Sequence, residues 1–183
     1  MPEQASALRC QHVAVEASDM ERSLAFYRSY LGMKLSERHA AGEVAAIPVE
    51  LAFLRFGTSR HHDLVLVHNP RKTYLPRPAG PEQDLAGAPG FHHFAFECPD
   101  RARWLQLLEK AGDMGLSVVR GPVLHSPWQQ GGDGSWGENE SFYVLDPDGH
   151  RIEIFCNMAS IAEDGSYVTA AGDVLAQARV SEI

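Results

Sequence analysis

Three residues carry the donors that a divalent metal takes: His12, His93 and Glu153. His12 opens the segment His12-Val-Ala-Val-Glu16-Ala-Ser-Asp19. It recurs as His93-Phe-Ala-Phe-Glu97-Cys-Pro-Asp100, four identities in eight with apolar residues exchanged for apolar ones. The repeat aligns His12 with His93 and so selects His93 over the adjacent His92. Glu153 sits in His150-Arg-Ile-Glu153-Ile-Phe-Cys156, an apolar run where an ionised carboxylate is costly unless paired or metal-bound. Two imidazoles and one carboxylate make the facial triad of non-haem iron(II) oxygenases, with coordination positions left open; Mn(II) or another divalent metal suits the same donors. Aligning the closing strands through Asn69 and Asn157 sets Val65 opposite Glu153, so no fourth protein ligand is expected there.

These residues need strands to hold them and helices to cover the strands. Each copy of the repeat is a short strand followed by a helix start. In the first, Ser18-Asp-Met-Glu21 resembles a capping box, Met20, Leu24, Tyr27 and Leu31 follow at helical spacing, and Gly32 supplies the stop. In the second, Asp100 caps a helix carrying Trp104, Leu107, Leu108 and Ala111 and ending near Gly112. Extended segments are expected at 33–39, 50–56 and 62–68, then at 116–120, 140–146 and 150–156, the last two joined by the turn Asp146-Pro-Asp-Gly149. The fold class is α+β: two βαβββ modules pairing curved mixed sheets around a shared metal site. Module one covers 8–69 and module two 91–157, within a single domain over 1–157. Residues 70–90 form a Pro/Gly-rich linker and 121–141 a long loop. Residues 158–183 form a tail whose segment Val174–Val180 reads as a final helix.

The 183 residues suit one domain of this kind, and the 44% hydrophobic and 22% charged content is ordinary for a globular chain. A net charge of −8 excludes a nucleic-acid or anionic-membrane partner, which would want a basic face. No apolar run reaches a membrane span and MPEQASALR lacks a signal pattern. Cys10, Cys98 and Cys156 are odd in number and dispersed, reading as reduced thiols in the cytoplasm.

The paired modules, the two first-strand histidines and Asp146-Pro-Asp-Gly-His-Arg-Ile-Glu153 resemble the vicinal oxygen chelate superfamily (glyoxalase, bleomycin resistance, dioxygenase) from Leu8 to Asn157. Three further matches resemble its extradiol catechol dioxygenases of the compact, single-domain type I kind. His62-Asp-Leu-Val-Leu is similar to the segment bearing an active-site histidine. Gly121-Pro-Val-Leu-His125 is similar to a segment with a supporting histidine, and Ser141-Phe-Tyr143-Val-Leu-Asp146-Pro to the strand of a substrate-binding tyrosine. The resemblance implies His62, His125 and Tyr143 as catalytic residues, iron(II) as cofactor, and a small aromatic diol with O2 as substrates, with a homodimer or higher homo-oligomer expected. A histidine base would take a catechol proton near neutral pH. Strand alternation from Val65 favours His61 over His62, and the His-Asp match favours His62. Trp128 and Trp136 could wall an aromatic substrate. His39, His68 and His150 read as ordinary strand or turn residues.

Two other readings stand beside ring cleavage. One is another metal-dependent chemistry on the same triad, glyoxalase-like or a thiol transfer. Val65 at the fourth-ligand position argues against the first, and the His62, His125 and Tyr143 set argues less firmly against the second. The other is a metabolite-sequestering resistance protein, whose relatives commonly lack the metal triad.

Overall fold

The computed structural model describes residues 10–57, 60–78, 90–135 and 137–177. The chain divides into two compact units, Met1–Pro76 and Arg77–Ile183. In the first, β1 (Val13–Glu16), α1 (Met20–Ser29), β2 (Lys34–His39), β3 (Glu50–Arg55) and β4 (Leu64–His68) form one βαβββ module. Its mixed sheet has the order β1-β4-β3-β2, with β1 parallel to β4 and the other pairings antiparallel. The second unit repeats this with β5 (Phe94–Glu97), α2 (Arg101–Asp113), β6 (Val118–His125), β7 (Asn139–Leu145) and β8 (Arg151–Cys156), in the order β5-β8-β7-β6. The α+β class and the doubled module are those expected.

Alternation along the strands decides which residues meet a helix and which are left for chemistry. In the second unit Ile152, Ile154, Phe142 and Val144 are wholly buried. The Trp104 ring of α2 meets Phe142 at 5.5 Å, and its indole N–H donates to the Ile154 carbonyl at 3.0 Å. Ser141, Tyr143 and Glu153 alternate with these and lie on the opposite face, Tyr143 paired directly with Glu153. In the first unit Leu54, Leu64 and Leu66 take the helix-facing positions, and Phe53 and Val65 pair on the other face. The two registers correspond, since Ala14 pairs with Val65 as Ala95 pairs with Glu153. Val65 therefore holds the place of Glu153 in its own module.

Local chemistry shifts several boundaries. The cap of α1 is Asp19, whose carboxylate accepts from the Arg22 N–H at 3.0 Å; Ser18 instead accepts from the Arg22 guanidinium. Helix α2 is capped by Asp100 as expected, but runs through Gly112 to Asp113, and Gly115 at φ +64° makes the turn. Strand β4 starts only at Leu64, so His61 and His62 precede it. Strand β6 continues to His125 past irregularities at Arg120 and Val123, where a loop was expected. The expected C-terminal helix is replaced over its described part by a strand. β9 (Ser160–Ile161), β10 (Ser166–Val168) and β11 (Val174–Gln177) form a small antiparallel sheet. A hairpin turn with Gly172 at φ +90° and the Thr169 N–H on the Asp173 carbonyl brings β11 back onto β10. Residues 178–180 of that helix, and 79–89 of the linker, lie outside the described residues.

Gly121 lies where β6 closely approaches β7. Its φ is +88°, and a Cβ there would lie 2.6 Å from the Ser141 carbonyl oxygen. Gly121→Ala should cost roughly 2–3 kcal/mol of stability from the backbone conformation and the clash together. Denaturant unfolding monitored by circular dichroism measures this, and a change below ~0.5 kcal/mol would contradict the close approach.

Candidate functional site

Glu153 is the buried charge around which the second unit arranges its polar groups; the residue is 8% exposed. One carboxylate oxygen accepts from the Ser141 hydroxyl at 2.6 Å, and the other lies 3.2 Å from His93 Nε2. Asn139, two residues before Ser141 on the same face, donates to the Ser141 oxygen at 3.0 Å. Tyr143 stands across from Glu153, its ring edge-on to His93 at 5.7 Å between centroids. Burial pushes its hydroxyl up to about 12, with the charge and hydrogen bond of Glu153 adding to the effect. Burial lowers the His93 pKa against the opposing pull of Glu153, favouring the neutral imidazole that a metal takes.

The array continues to the end of β6. His125, 8% exposed, places Nε2 3.3 Å from the Tyr143 hydroxyl. Its Nδ1 faces Asp133 Oδ2 at 2.9 Å and the Ser135 hydroxyl at 2.8 Å. Arg120 lies 3.3 Å from the same Asp133 oxygen, with its guanidinium 5.6 Å from the Tyr143 ring centre. Ser141 and Asp133 were not expected as site residues. Ser141 was legible as a polar residue in phase with Tyr143 on an apolar strand. Asp133 had no such signal, because a loop side chain has no periodicity to read.

The first unit gathers imidazoles. His12, just before β1, has its ring 4.6 Å from that of His62. Gln11 Oε1 accepts from His12 Nδ1–H, 2.5 Å away, and the Gln11 amide N–H donates to the His62 carbonyl at 2.6 Å. His61 contacts His62 through their Nδ1 atoms at 2.9 Å and turns its Nε2 to Glu37 on β2 at 3.0 Å. His62, not His61, therefore lies against His12. Burial, with His12 and His61 nearby, lowers the His62 pKa. His39 shares Glu37 at 2.8 Å, and His68 Nδ1–H donates to the Ala17 carbonyl at 2.9 Å. His150 is tied to Asp146 at 2.8 Å within the β7–β8 turn.

The expected metal donors divide between the units: His12 in one, His93 and Glu153 in the other. The 3.2 Å separation of His93 Nε2 and Glu153 Oε2 fits two neighbouring ligands each ~2.1 Å from one ion. Among the described residues no cluster of three or more His, Cys, Asp or Glu side chains is gathered for a metal.

Residues 9–154 match the model of the Glyoxalase/Bleomycin resistance protein/Dioxygenase superfamily. The chain belongs to this superfamily. Enzymes of this superfamily use divalent metals. The lactoylglutathione lyase of Neisseria meningitidis serogroup A is 30% identical over 167 residues, covering 89% of this chain and 100% of that one. The probable chloroplastic lactoylglutathione lyase of Arabidopsis thaliana is 28% identical over 147 residues, or 80% of this chain. The match spans only 35% of the Arabidopsis protein's length. The trypanothione-dependent glyoxalase I of Leishmania major shares the fold, with a TM-score of 0.55 at 22% identity over 82% of this chain and 87% of that one.

These relatives overturn the expectation of an extradiol dioxygenase, and with it the catechol, O2 and aromatic-degradation readings. The superfamily is shared; ring cleavage is not. The structure explains why the three matches misled. Gly121 is required by the approach of β6 to β7. Asp63 closes a turn, its carboxylate accepting from the Phe56 N–H at 2.9 Å and its N–H donating to Leu54. Tyr143 occupies an ordinary strand position whose counterpart is Phe53. Gly121 and Asp63 thus answer demands of the fold. Trp128 packs on Tyr167 of β10 with ring centres 5.1 Å apart, anchoring its loop to the tail sheet; Trp136 lies outside the described residues.

The Tyr143 shift has a measurable sign. Its folded value exceeds the ~10 of an unfolded tyrosine, so the stability from its neutral form is intact below pH ~10 and is lost as the pH rises toward 12. In metal-free protein, ultraviolet titration against Tyr143→Phe should reveal one phenol ionising near pH 12. The Phe variant should also lose less stability across that window. A Tyr143 phenol ionising near 10 would contradict the burial and the Glu153 contact.

Proposed function

We propose that this chain is a metal-dependent lyase of the lactoylglutathione type, interconverting the hemithioacetal of a 2-oxoaldehyde and a thiol with a 2-hydroxyacyl thioester. The observation that carries the reading is the buried Glu153 carboxylate beside His93 and Tyr143, in a chain whose relatives include lactoylglutathione lyases over their full length. The reaction moves one hydrogen between adjacent carbons and needs no outside oxidant. The aldehyde-derived carbon loses a proton and becomes the thioester carbonyl, while the neighbouring carbonyl carbon gains a proton and becomes the carbinol.

One base can take the proton and return it one carbon away. Glu153 suits this, because the Ser141 hydroxyl holds one oxygen and leaves the other beside His93. The neutral Tyr143 oxygen can accept from the hydroxyl of the hemithioacetal and hold the substrate beside Glu153. Val65 does not exclude this chemistry, since a single carboxylate is enough for a proton that leaves and comes back. His12, His93 and, while it carries no proton, Glu153 are the proposed metal donors, with His62 supporting His12 and His125 supporting Tyr143. A divalent cation held there would polarise the substrate oxygens and acidify the C–H bond. The task is that of a Lewis acid, so iron(II) is one candidate beside manganese, cobalt, nickel and zinc. The three cysteines are free, which suits the cytoplasm; among the described residues no helix is long and apolar enough to cross a membrane.

The test is ultraviolet detection of thioester formed from glutathione and a 2-oxoaldehyde, after loading the protein in turn with each of these ions. Glu153→Gln should lower kcat/KM by ~10³-fold. Chelation should abolish turnover, and one or more of the ions should restore it. No thioester with any ion would sink the proposal. Separately, His12→Ala and His93→Ala should each weaken metal binding by at least tenfold in titration; an unchanged stoichiometry and affinity would remove that residue from the donor set.

A further inference from the structure

The loop between β6 and β7 delivers an acidic side chain to the rear of His125. Asp133 donates its backbone N–H to the Leu124 carbonyl at 2.9 Å, and Gly134 donates to Ser126 at 3.1 Å, so the loop is laced to the strand end it leaves. Gly132 comes so close that a Cβ would strike the Ser126 carbonyl. Glu138 secures the loop base by accepting from the Ser126 hydroxyl and from the Gln129 amide, the latter at 2.6 Å.

This arrangement determines which nitrogen of His125 carries its hydrogen. Asp133 is an acceptor only, held down to about 2 chiefly by the Ser135 hydroxyl. Ser135 gives its single hydroxyl proton to Asp133 Oδ1 at 2.6 Å, and therefore presents only lone pairs to His125 Nδ1. Both neighbours of Nδ1 are acceptors, so Nδ1 carries the hydrogen. In the neutral imidazole, Nε2 is then bare and faces the Tyr143 hydroxyl. The one proton of that hydroxyl has two acceptors, the Glu153 carboxylate and His125 Nε2.

We propose that Asp133 is a positioning residue: it fixes His125 in the Nδ1–H tautomer and so gives the Tyr143 hydroxyl a second hydrogen-bond acceptor beside Glu153. A buried hydroxyl that loses its partner is costly. With Nε2 available, Tyr143 keeps a hydrogen bond while the Glu153 carboxylate is engaged with substrate, and turns its oxygen lone pairs to the reacting side. The catalytic consequence rests on the reading of Glu153 as the base; the tautomer does not.

The experiment uses the full chain, ¹⁵N-labelled, in metal-free and zinc-loaded forms, with the His125 signals assigned by their loss in His125→Gln. The wild-type protein should show a protonated Nδ1 and a bare Nε2. In Asp133→Asn the Ser135 N–H and hydroxyl, which now donate to Oδ1 at 2.9 and 2.6 Å, hold the amide oxygen in place. The amide NH2 is thereby turned toward Nδ1, the half-exposed Arg120 guanidinium moving off that atom into solvent, and the tautomer should invert. Ser135→Ala, which retains the acceptor, should keep the Nδ1–H form. Inversion should lower kcat on the order of tenfold or more with KM little changed, because a wrongly protonated imidazole is lost to catalysis without loss of binding. An uninverted tautomer in Asp133→Asn overturns the proposal, as does inversion with a wild-type kcat. If the wild-type protein makes no thioester, the lyase reading falls and the tautomer alone decides the assignment of Asp133, inversion upholding it and constancy overturning it.

Discussion

A carboxylate on a buried strand must be matched by donors, and the second unit is organised around that requirement. Glu153 lies on β8 between two isoleucines that are wholly buried, where an uncompensated charge would cost several kcal/mol. The β7–β8 register answers by setting Tyr143 directly opposite and Ser141 one step along the same face. His93, carried in from the start of β5 by the parallel β5–β8 pairing, meets the carboxylate from the other side. The same strands turn Phe142, Val144 and both isoleucines toward Trp104. One pleat thus supplies a core on one face and a polar site on the other.

The first unit has the same backbone plan and a different inner surface. Phe53 and Val65 stand in the registers that Tyr143 and Glu153 occupy in the second unit. In place of a buried acid the first unit offers half-buried or exposed imidazoles, His12 against His62 and His61 against Glu37. A duplicated module can therefore keep its hydrogen-bond ladder while its two copies diverge in chemistry. That is also why the superfamily supports unrelated reactions on one frame.

The resemblance to dioxygenases shows the hazard in reading motifs without their physical causes. Gly121 is glycine because the Ser141 carbonyl leaves no room for a Cβ. Asp63 is acidic because it terminates a turn by accepting from Phe56. Neither residue type reports on substrate. Tyr143 and Glu153 face each other across β7 and β8 in an arrangement compatible with more than one reaction.

The sequence by itself determined the two modules, the eight principal strand regions, both helices and the placing of Glu153 on an apolar strand. These follow from local signals: a repeat, a period of two along strands, a period of 3.6 along helices, and capping by Asp100. It also singled out His93 over His92 through the repeat. Tertiary structure decided what local patterns do not encode. It carried β6 through to His125, made a strand of Val174–Gln177, set His62 rather than His61 against His12, and brought Asp133 back onto His125. Each depends on contacts between residues whose spacing follows no period: a glycine bend against a neighbouring carbonyl, a hairpin partner, a loop laced to a strand end. Period and propensity locate a residue on an element. Only the packed chain decides which side chain waits behind it.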